Sequence, residues 1–199
     1  MIIAPPPPDA DERVAEMYAA DRDDGGVVFA HTQAMAVNPE AHAAFERVLG
    51  AVLPSIGVRV YEAATLGAAR AIGSTHCLLA HGRKALRAGV VDEAGLMAFA
   101  AGDDSAFTAS ERTVIDFAAR LSSDPASMTD ADSRRLRDAG FSDRQIVDIA
   151  LAAAARNLLS RSLLALAVPV EEAPGLDPAV ASALRRAASG TRHERPADR

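Results

Sequence analysis

The chain has 199 residues, a size typical of one domain with a full hydrophobic core. Its formal net charge is -6, which argues against nucleic-acid binding because phosphate recognition needs clustered Lys and Arg. Hydrophobic residues make up 49% of the chain, but aromatic residues only 4%, and there is no Trp. Ala and Leu supply much of this apolar content, which favours closely packed helices over sheets. We therefore predict an all-α protein.

The chain shows no sign of a membrane span or an export signal. The most apolar stretch, 146–170, is interrupted by Asp148, Arg156 and Arg161, short of the roughly 18 uninterrupted apolar residues that a span requires. The first residues, MIIAPPPPDADE, lack a basic start followed by an apolar run. A single cysteine cannot form an internal disulfide, which favours a reducing compartment. We expect a soluble, cytoplasmic protein.

Both ends of the chain differ in composition from the middle. Four consecutive prolines, Pro5–Pro8, lack amide donors and favour extended backbone, so residues 1–12 are predicted to form a surface arm. Residues 188–199, including His193, are polar and lack periodicity, so we predict a disordered tail there. The remaining residues, 13–187, are predicted to form one helical domain.

Helix starts can be located from capping residues. Asn38 followed by Pro39 is a helix start, and Gly50 is the expected end of that helix. Thr108–Glu111 and Ser142–Gln145 both fit the capping box, in which two side chains satisfy the first free amides of a helix. Three helix starts are thus predicted.

The last third of the chain indicates one further helix and the extent of the helix that Ser142 caps. Thr129 with Asp132 is a looser version of the capping box, and that helix is expected to end at Gly140. The helix that begins at Asp143 is mostly Ala and Leu up to about Val168. Small apolar side chains let neighbouring helices approach closely, so this helix is predicted to be central.

The segment 61–89, YEAATLGAARAIGSTHCLLAHGRKALRAG, carries the residues with the most reactive chemistry. We predict two helices hinged at Gly73, the second capped by Ser74 and ending at Gly89. Cys77 then occupies the third helical position. Free backbone amides and the positive end of the helix dipole stabilise a thiolate there, although a helix terminus alone does not make a strong nucleophile.

An adjacent base would supply the remaining activation of the thiol. His81 lies four residues after Cys77, on the same helical face one turn along. Glu62 lies far enough back in the preceding helix for a hinge at Gly73 to fold it over the site, where it can orient His81. The three residues would form a nucleophile, a base and an orienting group.

Simpler interpretations of the same residues remain open. A lone cysteine in an apolar helix is usually a small buried hydrophobe, and a nearby histidine is usually structural. His76, Cys77 and His81 are metal-ligand types, but neighbouring residues point in different directions and no second pair exists, so no metal site and no cofactor are predicted. Asn157, within an apolar helix, is expected to be a buried hydrogen-bonding group.

Four residues of this segment stand at the motif positions of a known family. The family pattern is a Glu, then twelve residues later Cys-x-x-Cys, then a His four residues after the second Cys. Glu62, Ser74, Cys77 and His81 stand at those positions, and His76 resembles a His sometimes found before the second Cys. The chain therefore resembles the alkylhydroperoxidase D-like and carboxymuconolactone decarboxylase superfamily, especially its peroxidase-related branch. The resemblance extends from roughly Arg13 to Val170.

The resemblance implies an alkylhydroperoxidase D-like helical domain that assembles as a homo-oligomer, either a dimer, a trimer or a hexamer, with the motif near an interface. In the family, two thiols cycle between dithiol and disulfide while the His and Glu relay protons. Here Ser74 replaces the first Cys, and a hydroxyl cannot form the disulfide. Cys77 can still attack a peroxide and become a sulfenic acid, which an external thiol or thiol protein would resolve.

The first of three hypotheses is a one-cysteine peroxidase with peroxiredoxin-like, antioxidant activity. The resemblance assigns Cys77 as nucleophile, His81 as base and Glu62 as proton relay. His76 would give electrostatic support, and Ser74 would cap the helix and donate a hydrogen bond to the thiolate. The substrate would be a small-molecule peroxide.

The other two hypotheses do not need thiol turnover. A non-redox lyase or decarboxylase would act on a small organic acid, with Arg70, Arg83 or Arg156 holding the carboxylate. A catalytically degenerate binding protein would keep the oligomer and lose turnover, and Ser74 is the feature that favours this hypothesis.

Overall fold

The all-α prediction is confirmed. The structure is a computed structural model that describes residues 2–193. Over these residues the chain contains nine α-helices and no β-strand. The helices are α1 Glu12–Gly25, α2 Ala30–Met35, α3 Pro39–Ile72, α4 Thr75–Arg87, α5 Glu93–Ala100, α6 Ala109–Ser123, α7 Asp130–Asp138, α8 Asp143–Ala165 and α9 Pro178–His193. None of the helices in this part of the chain has the length and apolarity needed to cross a membrane.

Helix α3 is the central element of the fold and packs mainly against α6 and α8. It begins as predicted, since the Asn38 side chain accepts a hydrogen bond from the amide of Ala41 at 3.0 Å. The predicted end at Gly50 is wrong. The backbone stays helical there and is interrupted only at Gly57, where φ is 74° and ψ is 164°. Pro54 precedes this interruption and lacks the amide hydrogen that a helix interior needs.

The predicted capping boxes are present. Thr108 and Ser142 each accept a hydrogen bond from the backbone of the third helical residue, whose side chain bonds back to the cap. Thr129 forms the same reciprocal pair with Asp132, so this cap is a complete capping box. Gly140 follows α7 with a left-handed φ of 98°, as expected for a helix end.

Helix α8 lies against both α3 and α6, which confirms its predicted central position. It ends at Ala165, slightly before the predicted Val168, and Ala167 then adopts a left-handed φ of 48°. The Asn157 amide donates to the Ser122 hydroxyl at 2.8 Å and to the Ala153 carbonyl at 2.9 Å. These bonds tie α8 to the end of α6 and support the structural role expected for Asn157.

The two ends of the described chain are held by the domain. The hydroxyl of Tyr18 donates to the carbonyl of Pro6 at 3.0 Å, which fixes part of the proline-rich arm to α1. Helix α9 runs through His193, so the predicted disorder of residues 188–193 is wrong. Leu184 and Ala188 are fully buried, and this packing extends the helix beyond its periodic part. The rest of the predicted tail, 194–199, lies outside the described residues.

Candidate active site

The hinge between α3 and α4 places Cys77 at a helix start. Gly73 adopts a left-handed φ of 75°, and its amide and that of Ser74 both donate back to the carbonyl of Ala69. Only glycine adopts this conformation without strain. Helix α4 then begins at Thr75, so Cys77 occupies the third helical position, as predicted.

The Cys77 sulfur is buried and receives its hydrogen bonds from α8. Only 3% of the residue is exposed. The Ser160 hydroxyl donates to Sγ at 3.1 Å, and Nη1 of Arg156 lies 3.7 Å from it. Within the described part of the chain these are the hydrogen bonds that the sulfur makes. The predicted contact with His81 is therefore not a hydrogen bond.

His81 instead bonds to Glu62 across the hinge. Nδ1 of His81 and Oε2 of Glu62 are 2.7 Å apart, and both side chains are buried. The Tyr61 ring lies beside the imidazole, with 6.0 Å between ring centroids. The structure thus brings Glu62 to the position expected of an orienting group.

Burial shifts the protonation of this pair toward its neutral forms. Burial raises the pKa of Glu62 to about 7, while the cations Lys84 and Arg156 oppose the shift. Burial also holds the pKa of His81 well below its usual value, and Arg156 lowers it further. When Glu62 is ionised, neutral His81 donates its Nδ1 hydrogen to the carboxylate, and Nε2 is left as a proton acceptor.

Arg156 is a buried cation without an acidic partner. It is 4% exposed and forms no ion pair with a carboxylate among residues 2–193. Nη2 lies 3.4 Å from the Tyr61 hydroxyl, and Nε is buried with no hydrogen-bond partner. Burial lowers the pKa of Arg156, but the Cys77 sulfur and Tyr61 more than offset this and leave the pKa raised. The guanidinium is therefore charged.

The other two arginines proposed to hold a carboxylate are already paired. Arg70 forms a bidentate ion pair with Asp104, with distances of 2.7 and 2.8 Å. Arg83 donates to Asp24. Both therefore have carboxylate partners, whereas Arg156 has none among the described residues.

Ser74 and His76 differ from their predicted roles. Ser74 occupies the cap position, but its hydroxyl is buried, forms no cap hydrogen bond and has no partner within the described residues. It does not donate to the sulfur. Nε2 of His76 lies 2.9 Å from the carbonyl of Pro169 and donates to it. Burial lowers the pKa of His76, so at neutral pH the ring lacks the charge that electrostatic support requires.

A cavity of about 540 Å³ gives access to these groups. Tyr61, Cys77, His81 and Arg156 all contribute to its wall. Apolar side chains complete it, among them Phe45, Leu49, Leu159 and Leu163. Cys77 and His81 therefore line one space that can admit a small organic molecule, with Glu62 behind His81.

Residues 39–120 match the model of the carboxymuconolactone decarboxylase family. The matched segment includes the hinge, Glu62, Cys77 and His81. Over this segment the chain is similar to the carboxymuconolactone decarboxylase family. No curated protein sequence matches the chain significantly.

Solved structures share its fold over almost the whole chain. A peroxidase-related protein from Silicibacter sp. TM1040 is 22% identical, with a TM-score of 0.70 over 88% of this chain and 98% of that one. A peroxidase-related protein with an alkylhydroperoxidase core, from Ralstonia eutropha JMP134, is 19% identical, with a TM-score of 0.68 over 92% and 95%. A debrominase without ligand is 19% identical, with a TM-score of 0.74 over 92% and 98%. A cysteine-to-alanine variant of that debrominase was solved with 2,3,4-tribromopyrrole.

The residues that hydrogen-bond to the Cys77 sulfur lie outside the matched segment. Arg156 and Ser160 follow Cys77 by 79 and 83 residues. Their spacing of four residues places them on one face of α8. That face was detectable in the sequence as a polar pair within an apolar helix, but its position opposite the cysteine was not.

Proposed function

We propose that this chain is a thiol-dependent oxidoreductase that reduces a small-molecule peroxide with Cys77 as the nucleophile. The observation that supports this most directly is that the chain's single thiol lines the same cavity as His81, whose imidazole is bonded to the buried Glu62. A thiol nucleophile beside a base that is oriented by a third group is the arrangement of an activated nucleophile.

In the proposed reaction, the Cys77 sulfur attacks one oxygen of the peroxide. A sulfur–oxygen bond forms and the oxygen–oxygen bond breaks, so the thiol is oxidised by two electrons and the peroxide is reduced. His81 accepts the proton of the thiol at Nε2 and returns it to the leaving oxygen, while Glu62 balances the imidazolium that forms. The products are a sulfenic acid on Cys77 and an alcohol or water.

An external thiol completes the proposed cycle. It attacks the sulfenic acid, forms a mixed disulfide and releases water, and a second thiol then restores Cys77. The chain has one cysteine, so no second thiol of its own can replace the external one. The partners of the proposed reaction are thus a peroxide and a reducing thiol.

The proposal is tested by the consumption of hydrogen peroxide and cumene hydroperoxide with dithiothreitol as reductant. We expect Cys77-dependent turnover and a dimedone adduct on Cys77 in mass spectra, both absent in Cys77→Ser. Circular dichroism establishes that the variant is folded. Absence of turnover with every peroxide and thiol tried would contradict the proposal.

The substrate panel also includes 2,3,4-tribromopyrrole, because a debrominase shares the fold. Release of bromide in place of peroxide consumption, abolished in Cys77→Ser, would overturn the peroxide assignment and keep Cys77 as the nucleophile.

A second candidate is a non-redox lyase that acts on a small carboxylated substrate. It is favoured by Arg156, a buried arginine that no carboxylate of the described residues pairs with. This candidate predicts an activity that survives Cys77→Ser, and retention of an organic acid by the purified protein. The peroxidase proposal predicts neither.

A further inference from the structure

Arg156 occupies an environment that requires an anion. Moving a guanidinium away from water is costly unless an opposite charge or several hydrogen bonds compensate for it. Among the described residues, Arg83 is the other buried arginine. It meets this requirement by an ion pair with Asp24. Arg156 is as deeply buried as Arg83, and no carboxylate within the described residues contacts it.

The ionisable groups around Arg156 come from three other helices. Helix α3 supplies Tyr61 and Glu62, α4 supplies Cys77, His81 and Lys84, and α2 supplies His31. The acids elsewhere in the cavity wall, Glu16, Asp21, Asp24 and Glu46, form no ion pair with Arg156 in the described structure.

Most of these groups cannot balance its charge. Burial raises the pKa of Tyr61, so its hydroxyl is neutral, and the Glu62 carboxyl is bonded to His81. Burial lowers the pKa of His31 to about 4, so that ring is neutral as well. Among the contacts of Arg156, the group left to carry a negative charge is the Cys77 sulfur, 3.7 Å from Nη1.

We infer that Arg156 is a further catalytic residue, which holds the Cys77 sulfur as a thiolate together with a hydrogen bond from Ser160. The two donors approach the sulfur from one face of α8, and Cys77 itself lies in the first turn of α4, where the positive end of the helix dipole favours an anion. This inference rests on the proposed function, in which the same sulfur attacks the peroxide.

The assignment separates two tasks in the site. Arg156 and Ser160 stabilise the negative charge on the sulfur, and the His81–Glu62 pair accepts the thiol proton and returns it to the leaving oxygen. This division fits the absence of a hydrogen bond from His81 to the sulfur in the described structure. It also explains why a buried arginine can lack a carboxylate partner, since a thiolate takes that place.

Thiolate absorbance at 240 nm tests the inference without any peroxide. The chain has one cysteine, no Trp and two tyrosines, and burial raises the pKa of both Tyr18 and Tyr61. The signal between pH 4 and 9 therefore comes from the thiol of Cys77, and Cys77→Ser supplies the baseline.

The decisive variants remove the charge or keep it. In Arg156→Met we expect the thiolate signal at pH 7 to fall at least fivefold, and in Arg156→Lys to stay within about twofold of the wild type. Ser160→Ala should lower it by a smaller factor. Lys84→Met is the matched control, because Lys84 is an exposed cation that lines the same cavity without touching the sulfur. It should change the signal by less than twofold.

An unchanged thiolate signal in folded Arg156→Met would overturn the inference. If that variant does not fold, an unchanged thiolate signal in Arg156→Gln, which also removes the charge, would do the same. Release of a bound organic acid on mutation of Arg156, with the thiolate signal intact, would show that Arg156 holds a carboxylate instead. Failure of the proposed function is distinguishable, because a wild-type thiolate without peroxide turnover contradicts only that proposal.

Discussion

Glu62 and His81 form a buried pair in which Oε2 and Nδ1 are 2.7 Å apart, and this pair joins α3 to α4 across the hinge at Gly73. Burial favours the neutral form of both groups: it raises the pKa of the Glu62 carboxyl and lowers the pKa of the His81 imidazole. The hydrogen bond between them holds one shared proton. The pair therefore titrates as a unit, and its protonation determines whether Nε2 can accept a proton.

The first prediction is a pH dependence of Cys77 oxidation. The rate of sulfenic acid formation should rise as the pH passes about 7, where Glu62 ionises and leaves Nε2 of His81 as an acceptor. In Glu62→Gln this rise in rate near pH 7 should disappear, and the rate above pH 8 should fall by roughly tenfold to a hundredfold. Stopped-flow measurement of a single turnover between pH 5 and 9 tests this. An unchanged rise in rate near pH 7 in Glu62→Gln would contradict the role of the Glu62–His81 pair as the proton acceptor.

The second prediction concerns stability at the same residue. Folding raises the pKa of Glu62 from 4.5 to about 7, so the folded state binds the Glu62 proton more tightly than the unfolded state does. This proton binding contributes fully to the free energy of unfolding below pH 4.5, and the contribution is lost as the pH rises through 7. At pH 8, Glu62→Gln should therefore increase the free energy of unfolding by about 3 kcal/mol, less any loss in the hydrogen bond to His81. At pH 4.5 the gain should vanish.

Urea unfolding at the two pH values measures this difference. His81 has the opposite sign, because its lowered pKa makes the protein lose stability as the pH falls below 6.5. That effect is present in both proteins and largely cancels in the comparison. A gain in stability that is equal at pH 4.5 and pH 8 would show that folding does not raise the pKa of Glu62.

The third prediction is a gain of function at Ser74. Its side chain lies one helical turn before Cys77 and its hydroxyl has no partner among the described residues, so a thiol can replace it at little cost. Peroxide should convert Ser74→Cys to an intramolecular disulfide, a loss of about 2 Da, and the dimedone adduct should disappear. Ser74→Ala is the control and should keep the adduct. An adduct of undiminished yield in Ser74→Cys would refute the predicted geometry.

The fourth prediction compares two glycines of α3. A Cβ at Gly67 would lie 2.7 Å from the backbone oxygen of Ile115, whereas a Cβ at Gly50 would meet nothing within 4 Å. Gly67→Ala should therefore destabilise the protein by about 1 to 3 kcal/mol, because α3 and α6 would have to separate. Gly50→Ala should be neutral or stabilising by up to about 1 kcal/mol. Thermal unfolding of the two variants provides the measurement, and equal effects would contradict this packing.

Helix starts were predictable from the sequence because a cap is a local structure. The side chains of Asn38, Thr108 and Ser142 bond to amides no more than three residues away, so the pattern contains both partners. The hinge at Gly73 is local for the same reason, since it depends on one left-handed residue. The pairing of Glu62 with His81 followed from this hinge, because the two helices that it joins are adjacent in the chain.

Helix ends were less predictable because packing decides them. Gly50 is a frequent stop signal, yet the chain remains helical through it, and the interruption comes at Gly57. The tail after residue 187 lacks periodicity, but Leu184 and Ala188 are buried and α9 continues to His193. In the tail, the burial of these two side chains outweighs the local preference of the residues.

The sequence by itself determined the helical class, the hinge and the position of Cys77 at the start of α4. Only the tertiary structure decided what the sulfur contacts. Arg156 and Ser160 are separated from Cys77 by 79 and 83 residues, and no spacing rule connects residues so far apart. They meet because α8 packs into the core beside α3 and α4, and a buried guanidinium is stabilised where an anion can face it.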